Sequence, residues 1–445
     1  MLTKISKGDT VIWIVMIFIT IISILSVFSA TSLFVNGKSF FYQEIVQHSF
    51  ALLFGWGIAI FGSRILNDKR LLFFGAFLMI FSIFFIFFLQ FPSIAPQIPG
   101  YFELVKENEA ARWVKVFGFQ FQPSELSKLG LIICGSYLLT AKPSESFIIA
   151  KICQIFNITD ENSARLEKIR FLITATLCFG TVAFVLPENL STALLMGIIF
   201  FCMLFFSGIA HNLLKNLSIF LFIIGVAFIL LLTLMPKETT QNWHKEKTPI
   251  LHRVHTWQNR IKDHVASDEF EYNEKTAQTI HSKIAIARGG ITGIGTGKSI
   301  ERNYLPQIYA DFIYAIIVEE MGFIIAVLLM ICYFIFYIRM VQLSKIGMEK
   351  PFHILLGITL SLMLLSQAMI SIEVAMNVGP VTGQPLPFIS RGRTSILICF
   401  TYIAILQYLV NTIPPTKRTT RYEEKINHLK ELKKERSILW KELKK

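Results

Sequence analysis

The chain has 445 residues, of which 53% are hydrophobic and only 16% are charged, and its mean hydropathy is +0.56. A soluble globular protein of this length could not bury so large an apolar fraction, so these values exclude that class and favour a polytopic membrane protein. The net charge of +13 does not indicate a nucleic-acid partner, because about half of it lies after Pro414, where basic residues typically face anionic lipid.

A helix of about 20 apolar residues is long enough to cross the hydrocarbon core of a bilayer. Runs of that length predict ten transmembrane helices, near residues 11–30, 46–63, 71–92, 124–141, 169–186, 190–209, 213–235, 308–338, 352–376 and 394–412. The expected fold class is therefore an all-α polytopic membrane protein.

Lysines and arginines are concentrated in alternate connections between these spans and in the tail. Because positively charged loops stay in the cytoplasm, both termini are predicted to be cytoplasmic. We expect one transmembrane domain over residues 1–412 and a basic cytoplasmic tail over 413–445. Two longer loops then lie outside the cytoplasm: one at 91–123 includes a possible interfacial stretch, and one at 236–306 joins spans 7 and 8. Loops of the second length are usually functional or disordered.

The fourth predicted span begins with QPSELSKL, which places an acid and a base at the mouth of a membrane helix. Pro123 suits the first turn of a helix, and Glu125 and Lys128 share one face at i, i+3. One interpretation is a self-neutralising pair that extends to the membrane interface. The other is a pair that faces a cavity, since ionisable groups within a membrane mark pathways or sites. Composition alone weights the two equally.

The segment GGITGIGTGKS, residues 289–299, superficially matches a phosphate-binding loop. That motif needs a glycine where Thr292 stands, so we exclude a nucleotide site and expect a glycine-rich re-entry into the membrane. The following span carries Asp311 at its mouth and then Glu319 and Glu320 deeper in an apolar helix. Two acids in that position imply partners or water.

The segment NVGPVTGQPLPFISRGRTS, residues 377–395, combines prolines and glycines beside an apolar span. Such backbone is tolerated at membrane depth only against protein or a wet cavity, which predicts re-entrant structure. Arg391 and Arg393 would then be available either to a bound anion or to lipid headgroups.

Four motifs occur in order along the chain: RWVKVFGFQFQPSELSKL, LPENLSTALL, YLPQIYADFIYAIIVEEMG and GPVTGQPLPFISRGRTS. In this combination the sequence resembles the SEDS family (shape, elongation, division, sporulation) over about residues 8–411. The opening segment is more similar to the cell-division branch of that family than to its elongation branch. Two motifs depart from the family pattern: P-D-L is Pro187-Glu188-Asn189-Leu190 here, and S-Y-G-G is Ser390-Arg391-Gly392-Arg393.

The resemblance implies a peptidoglycan glycosyltransferase that polymerises lipid II, an undecaprenyl-pyrophosphate-linked disaccharide peptide, during septal wall synthesis. The implied partners are a class B penicillin-binding protein, which is a transpeptidase, other proteins of the division machinery, and membrane lipid. The implied location is the bacterial cytoplasmic (inner) membrane at the septum. Two alternatives remain open: a lipid II flippase or transporter, which ten spans and intramembrane acids would also suit, and a non-catalytic scaffold.

The resemblance also implies which residues carry the chemistry. The essential aspartate of the family follows a W/F-x-N-like stretch in the large loop, and RVHTWQNRIKD places it at Asp263, with Asp268 as a competitor. We expect Asp263 to act as general base. Lys128, oriented by Glu125, is expected to stabilise the departing pyrophosphate, with help from Arg391 or a divalent cation such as Mg²⁺ or Mn²⁺. The metal ligands are not predicted. The substrate-binding candidates are Arg112, Gln122, Ser124, Gln278, Asp311, Glu319, Ser390 and Arg391.

Overall fold

A computed structural model describes residues 8–31, 38–91, 102–107, 110–144, 146–158, 163–235, 254, 257–258, 274–304, 311–379, 382–390 and 392–414. The helices in these ranges are α1 (Thr10–Thr31), α2 (Lys38–Ile65), α3 (Asp68–Gln90), α4 (Pro123–Thr140), α5 (Phe147–Ile155), α6 (Ala164–Val185), α7 (Leu190–Ser207), α8 (His211–Leu234), α9 (Glu274–Gly289), α10 (Ile313–Gly347), α11 (Pro351–Ala375) and α12 (Arg393–Asn411). The strands are β1 (Phe102–Glu107), β2 (Ala110–Val116) and β3 (Phe119–Phe121).

Each predicted span corresponds to a helix, which confirms the polytopic membrane fold, although α2 begins eight residues before its predicted span and α10 ends nine residues after its own. Nine helices within the described ranges are long and apolar enough to cross a membrane. The tenth predicted span is α4, in which Glu125 and Lys128 reduce the apolar content. Most of α4 is buried, because α3, α6, α7 and α11 pack around it. A helix enclosed by other helices does not need a lipid-facing apolar surface.

Small residues allow α4 to approach α3 closely. A Cβ placed on Gly130 would lie 2.7 Å from the backbone nitrogen of Met79 and 2.9 Å from the carbonyl oxygen of Gly75. In membranes, where apolar burial does not drive helix association, such close backbone contact is a principal source of packing energy. The contact fixes the position of the helix that carries Glu125 and Lys128.

Ion pairs and hydrogen bonds join the two ends of the described chain at one end of the bundle, here called the basal end. Arg339 Nη2 lies 2.6 Å from Asp9 Oδ2, and the amide of Asp9 donates to Gln407 Oε1 at 2.7 Å. Nearby, Lys350 and Asp68 form a further pair at 2.5 Å. Residues 9 and 407 therefore lie at the same end of the bundle, and the cytoplasmic location of both termini stays a prediction.

The opposite end, here called the apical end, carries a three-stranded antiparallel sheet in the order β1-β2-β3. The sheet was not predicted, since the loop at 91–123 was expected only to contain an interfacial stretch. Phe117 and Gly118 form the β2–β3 turn with φ of 49° and 84°. Primed turns with two positive φ values match the twist of a hairpin. Phe121 stacks on Phe81 of α3, which holds the sheet on the bundle.

The glycine-rich segment at 289–299 packs against a break in α10. Gly322 has φ of 83°, so the helix is interrupted there. The amide of Phe323 donates to the carbonyl of Gly290 at 3.0 Å, and the amide of Ile294 donates to the carbonyl of Glu319 at 2.9 Å. The segment therefore supplies partners for backbone groups that the break leaves unpaired.

Replacing Gly322 with alanine is expected to destabilise the protein by about 2 kcal/mol or more, because φ is in the left-handed region and the new methyl group would overlap the backbone of Ile291 and Thr292. Thermal unfolding in detergent measures the effect. Gly197→Ala in α7 is the matched control, since a Cβ there meets nothing within 4 Å. Equal unfolding temperatures for the two variants would contradict the role given to Gly322.

Candidate functional site

The acid and base of α4 form a buried ion pair inside the helical bundle. Lys128 Nζ lies 2.5 Å from Glu125 Oε1, and the two side chains are 0% and 7% exposed. Lys128 lies about 7 Å below the start of α4, at a rise of ~1.5 Å per residue. Since neither side chain extends to lipid, the interpretation as a pair at the membrane interface is wrong, and the pair faces the interior of the protein.

Polar side chains of α4 and α12 lie near the pair. Cys399 and Tyr402 of α12 lie close enough to interact electrostatically with Glu125. The hydroxyl groups of Tyr402 and Ser124 are buried, and neither has a hydrogen-bond partner among the described residues. Burying a charge pair is costly unless hydrogen bonds satisfy the remaining donors and acceptors. The arrangement is therefore better suited to a ligand or water than to fold stability alone.

A second group of polar side chains, here called the apical cluster, lies where β2, the α6–α7 connection and the start of α10 meet. Arg112 Nε donates to the carbonyl oxygen of Glu188 at 3.3 Å. A Cβ placed on Gly383 would lie 3.8 Å from Asp311 Oδ2 and 4.0 Å from Arg112 Nη1. The side chain of Glu188 is also buried. Arg112, Glu188 and Asp311 thus meet the 382–390 segment at one point, although they are far apart in sequence.

Gln384 joins this cluster to α7. Its Nε2 donates to Thr192 Oγ1 at 2.6 Å, and its Oε1 is buried without a partner among the described residues. Asn189 caps α7 by accepting a hydrogen bond from the amide of Thr192. The departure from the family pattern at Glu188-Asn189 therefore supplies both a helix cap and a buried acid. Gln122 is buried at the start of α4, below the sheet.

The large loop is anchored at the apical end by Trp257. Trp257 and Val254 pack against Leu186, Leu190 and Phe228, and the rings of Trp257 and Phe228 are 5.7 Å apart. The side-chain Nε2 of Gln258 donates to the carbonyl of Met235 at 2.8 Å. Trp257 therefore packs near Leu186 and Leu190, which lie two positions before and after Glu188. A residue six positions further along the chain can be at most about 20 Å away.

A family model described as cell cycle protein, FtsW/RodA/SpoVE, matches residues 9–412. The chain belongs to this family. The resemblance to SEDS proteins is thereby confirmed, since FtsW and RodA represent its division and elongation branches.

Two curated FtsW proteins illustrate the similarity. The chain is 26% identical over 413 residues to a probable peptidoglycan glycosyltransferase FtsW of Geobacter sulfurreducens, which covers 91% of this chain and 95% of that one. It is 30% identical over 305 residues to the probable peptidoglycan glycosyltransferase FtsW of Bacillus subtilis, and the aligned region covers 67% of this chain and 66% of that one. A solved chain from a peptidoglycan synthase complex that coordinates polymerization and crosslinking has a TM-score of 0.62 at 20% identity, covering 91% of this chain and 97% of that one. That structure confirms the FtsW/RodA/SpoVE fold.

Glu319 and Glu320 lie in a different part of this FtsW/RodA/SpoVE protein. Ser299 Oγ donates to Glu319, whose Oε1 also accepts from the amide of Ile300 at 3.2 Å. Ser29 of α1 donates to Glu320, whose Oε1 accepts from the amide of Ser299 at 3.1 Å. The carboxylates thus have partners in the glycine-rich segment and α1, which meets the expectation that buried acids need partners. The structure does not bring them together with Glu125 and Lys128.

Several predicted site residues are not positioned by the described part of this FtsW/RodA/SpoVE chain. Asp263, Asp268 and Arg391 lie outside the described residues. Gln278 is half-buried on α9, and Ser390 Oγ accepts a hydrogen bond from the amide of Leu386. Within the described ranges, no group of three or more His, Cys, Asp or Glu side chains could hold a metal ion.

Sequence reasoning missed three residues of the site in this FtsW/RodA/SpoVE protein: Glu188, Thr192 and Gln384. A signal for Glu188 was present, because LPENLSTALL was identified as a motif and an acid before an N-cap is unusual beside a membrane span. Gln384 lies inside the segment 377–395, which is rich in proline and glycine. A single glutamine in such a segment belongs to no helical or strand periodicity that would mark it as a site residue. Only its contact with Thr192, far away in sequence, shows that it belongs to the site.

Proposed function

We propose that this chain is a peptidoglycan glycosyltransferase that polymerises lipid II into glycan strands, and that it does so between the Glu125–Lys128 pair and the apical cluster. The observation that carries the proposal is a fully buried lysine, with one described ion-pair partner, in the helix that begins directly beneath the apical sheet. The names of the curated relatives support the reaction class. All ten predicted spans and the family match over 9–412 support the architecture.

We assign Asp263 as the general base. It removes the proton of the acceptor sugar hydroxyl while that oxygen forms a bond to the anomeric carbon of the donor sugar. The bond from the anomeric carbon to the pyrophosphate oxygen breaks in the same step, so the configuration inverts. The anchored Trp257 supports this assignment, because Asp263 follows it by six residues and is within about 20 Å of it. Pyrophosphate leaves without protonation, so a single base is sufficient.

Lys128 provides the positive charge for the departing pyrophosphate. In a buried site the electrostatic stabilisation of developing charge is stronger than in water, because the medium has a low effective dielectric. Glu125 holds the ammonium group in place before reaction, and their 2.5 Å contact supports this role. Arg112 provides a further positive charge at the apical end. A contribution from Arg391 or from Mg²⁺ or Mn²⁺ stays a prediction.

The chain is a multi-pass membrane protein, and we assign the apical end to the extracytoplasmic side and both termini to the cytoplasm. The distribution of lysine and arginine supports this orientation. A class B penicillin-binding protein is the expected partner, since a structurally similar chain comes from a peptidoglycan synthase complex. The FtsW names of the relatives support a role at the division septum of the inner membrane, with other division proteins.

Glycan-strand formation from lipid II, by the purified chain together with its cognate transpeptidase, tests the proposal. We expect long glycan products that survive when penicillin blocks the transpeptidase, because crosslinking is a separate reaction. Movement of lipid II across liposomes without glycan product would instead establish a flippase. Binding of the transpeptidase with neither activity would establish a scaffold, and either outcome overturns the proposal.

A further inference from the structure

Three carbonyl groups of the 382–390 segment accept hydrogen bonds from three different helices. Gln367 of α11 donates to the carbonyl of Pro385 at 3.3 Å. Tyr333 of α10 donates to the carbonyl of Pro387 at 2.7 Å. The third donor is Ser23 of α1, which donates to the carbonyl of Phe388 at 2.8 Å. As predicted for this composition, the segment enters the bundle, and these bonds hold it there.

The segment requires outside donors because its own backbone cannot supply them. Pro385 and Pro387 have no amide hydrogen, and Phe388 has φ of 66°, a left-handed conformation that costs about 1–2 kcal/mol for a residue with a side chain. Leu386, Phe388 and Ile389 are buried, so water cannot pair with the carbonyl groups. An unpaired buried carbonyl is costly. The three side chains therefore determine which conformation of the segment is stable.

Ser23 is in turn oriented by a buried histidine. His48 Nε2 lies 2.9 Å from Ser23 Oγ, and both side chains are nearly inaccessible. Because the Ser23 hydroxyl hydrogen points to the carbonyl of Phe388, the serine oxygen must accept, and the Nε2 of His48 must carry a hydrogen. The chain of bonds therefore runs from α2 through α1 to the segment.

The segment held in this way carries two residues of the candidate site at its ends. Gln384, whose Oε1 has no hydrogen-bond partner among the described residues, lies one residue from the point where Arg112 and Asp311 meet the segment. Ser390 closes the other end by accepting from the amide of Leu386 at 2.7 Å. A displacement of about 1 Å in groups that align reactants can reduce rates by about a hundredfold. Fixing this backbone thus has a direct catalytic consequence.

We propose that Ser23, Tyr333 and His48 are positioning residues for glycan polymerisation, acting through the conformation of the 382–390 segment. The inference rests on the proposed function. None of the three needs to contact lipid II, and each acts by holding a backbone carbonyl or by orienting the side chain that does.

Matched pairs of variants test the positioning role in the chain–transpeptidase complex. Ser23→Ala and Tyr333→Phe each remove one donor to the segment. Ser26→Ala and Tyr314→Phe remove the same groups from the same helices, where the bonds stay within α1 and α10. We expect about a tenfold to hundredfold lower kcat with an unchanged KM for the first pair, and wild-type values for the second. A loss of the same size in both pairs would overturn the proposal.

His48 has its own discriminating pair. His48→Gln keeps an N–H donor that can reach Ser23, whereas His48→Leu keeps much of the side-chain volume but has no hydrogen-bond donor. We expect His48→Gln to retain most of the wild-type kcat and His48→Leu to lose as much as Ser23→Ala. Equal activity in the glutamine and leucine variants would show that the hydrogen bond has no positioning role.

Hydrogen–deuterium exchange separates this proposal from the proposed function, because it needs no activity. The amides of Ile389 and Ser390 bond to the carbonyl of Leu386, so they report on the conformation of the segment. We expect faster exchange at these amides in Ser23→Ala and Tyr333→Phe than in the control variants. Unchanged exchange would overturn the proposal that Ser23 and Tyr333 hold the segment in place. If the variants exchange faster but the wild-type protein makes no glycan, the hydrogen bonds hold the segment as proposed and the proposed function is overturned.

Discussion

Lys128→Met is expected to reduce polymerisation of lipid II by about a hundredfold to a thousandfold, because it removes the buried positive charge that we propose stabilises the departing pyrophosphate. The measurement is glycan formation by the purified complex at saturating lipid II. Lys115→Met is the matched control: Lys115 also pairs with a glutamate, Glu103 at 3.1 Å, but that pair is partly exposed on the sheet. An exposed pair contributes about 0–1 kcal/mol, and we expect near wild-type activity from the control.

Adding a second substitution to Lys128→Met separates the effect on stability from the effect on catalysis. Breaking a buried ion pair by removing one partner typically costs about 3–5 kcal/mol, because the other charge is left uncompensated. The double variant Glu125→Gln with Lys128→Met removes both charges of the pair and is expected to unfold near the wild-type temperature while remaining inactive. Polymerisation at the wild-type rate by the folded double variant would show that the pair is only structural.

Asp263→Asn is expected to lower polymerisation by about a hundredfold to ten-thousandfold, the range that general-base catalysis contributes. The amide has nearly the same size as the carboxylate but cannot accept the proton of the sugar hydroxyl. Glycan formation and binding of lipid II are measured side by side, and binding should persist. Because Asp263 and Asp268 lie on the same loop, Asp268→Asn is the control for general effects on that loop.

The two aspartate variants give opposite results if the assignment is wrong. Loss of activity in Asp268→Asn with a normal rate in Asp263→Asn would transfer the role of general base to Asp268. Normal rates in both would remove this part of the loop from the mechanism. We expect the polymerisation rate of Trp257→Ala to lie between the wild-type rate and that of Asp263→Asn. The substitution releases the contact with Leu186 and Leu190 without removing a reacting group.

Membrane helices were predicted well because a bilayer imposes their length. α1 and α12 begin and end within one residue of the predicted spans, and α6 begins five residues before its predicted span. The sheet at the apical end was missed because its strands are short and lie in a loop outside the membrane, where hydropathy gives no constraint. Its turn at Phe117-Gly118 was the one local signal, and a phenylalanine with positive φ is unusual enough to be overlooked.

The sequence by itself determined the class of protein, the positions of the long apolar helices and the acid–base pair on α4, because each depends on composition or on spacing within one helix. The tertiary structure decided that this pair is buried rather than exposed to lipid. It also decided that Arg112, Asp311 and Gly383 lie together, and that Ser23 and Tyr333 hold the carbonyls of a distant segment. The hydrogen bonds from Ser23 and Tyr333 join residues 365 and 54 positions apart in sequence. Local pattern does not encode such contacts, since they form only when whole helices pack.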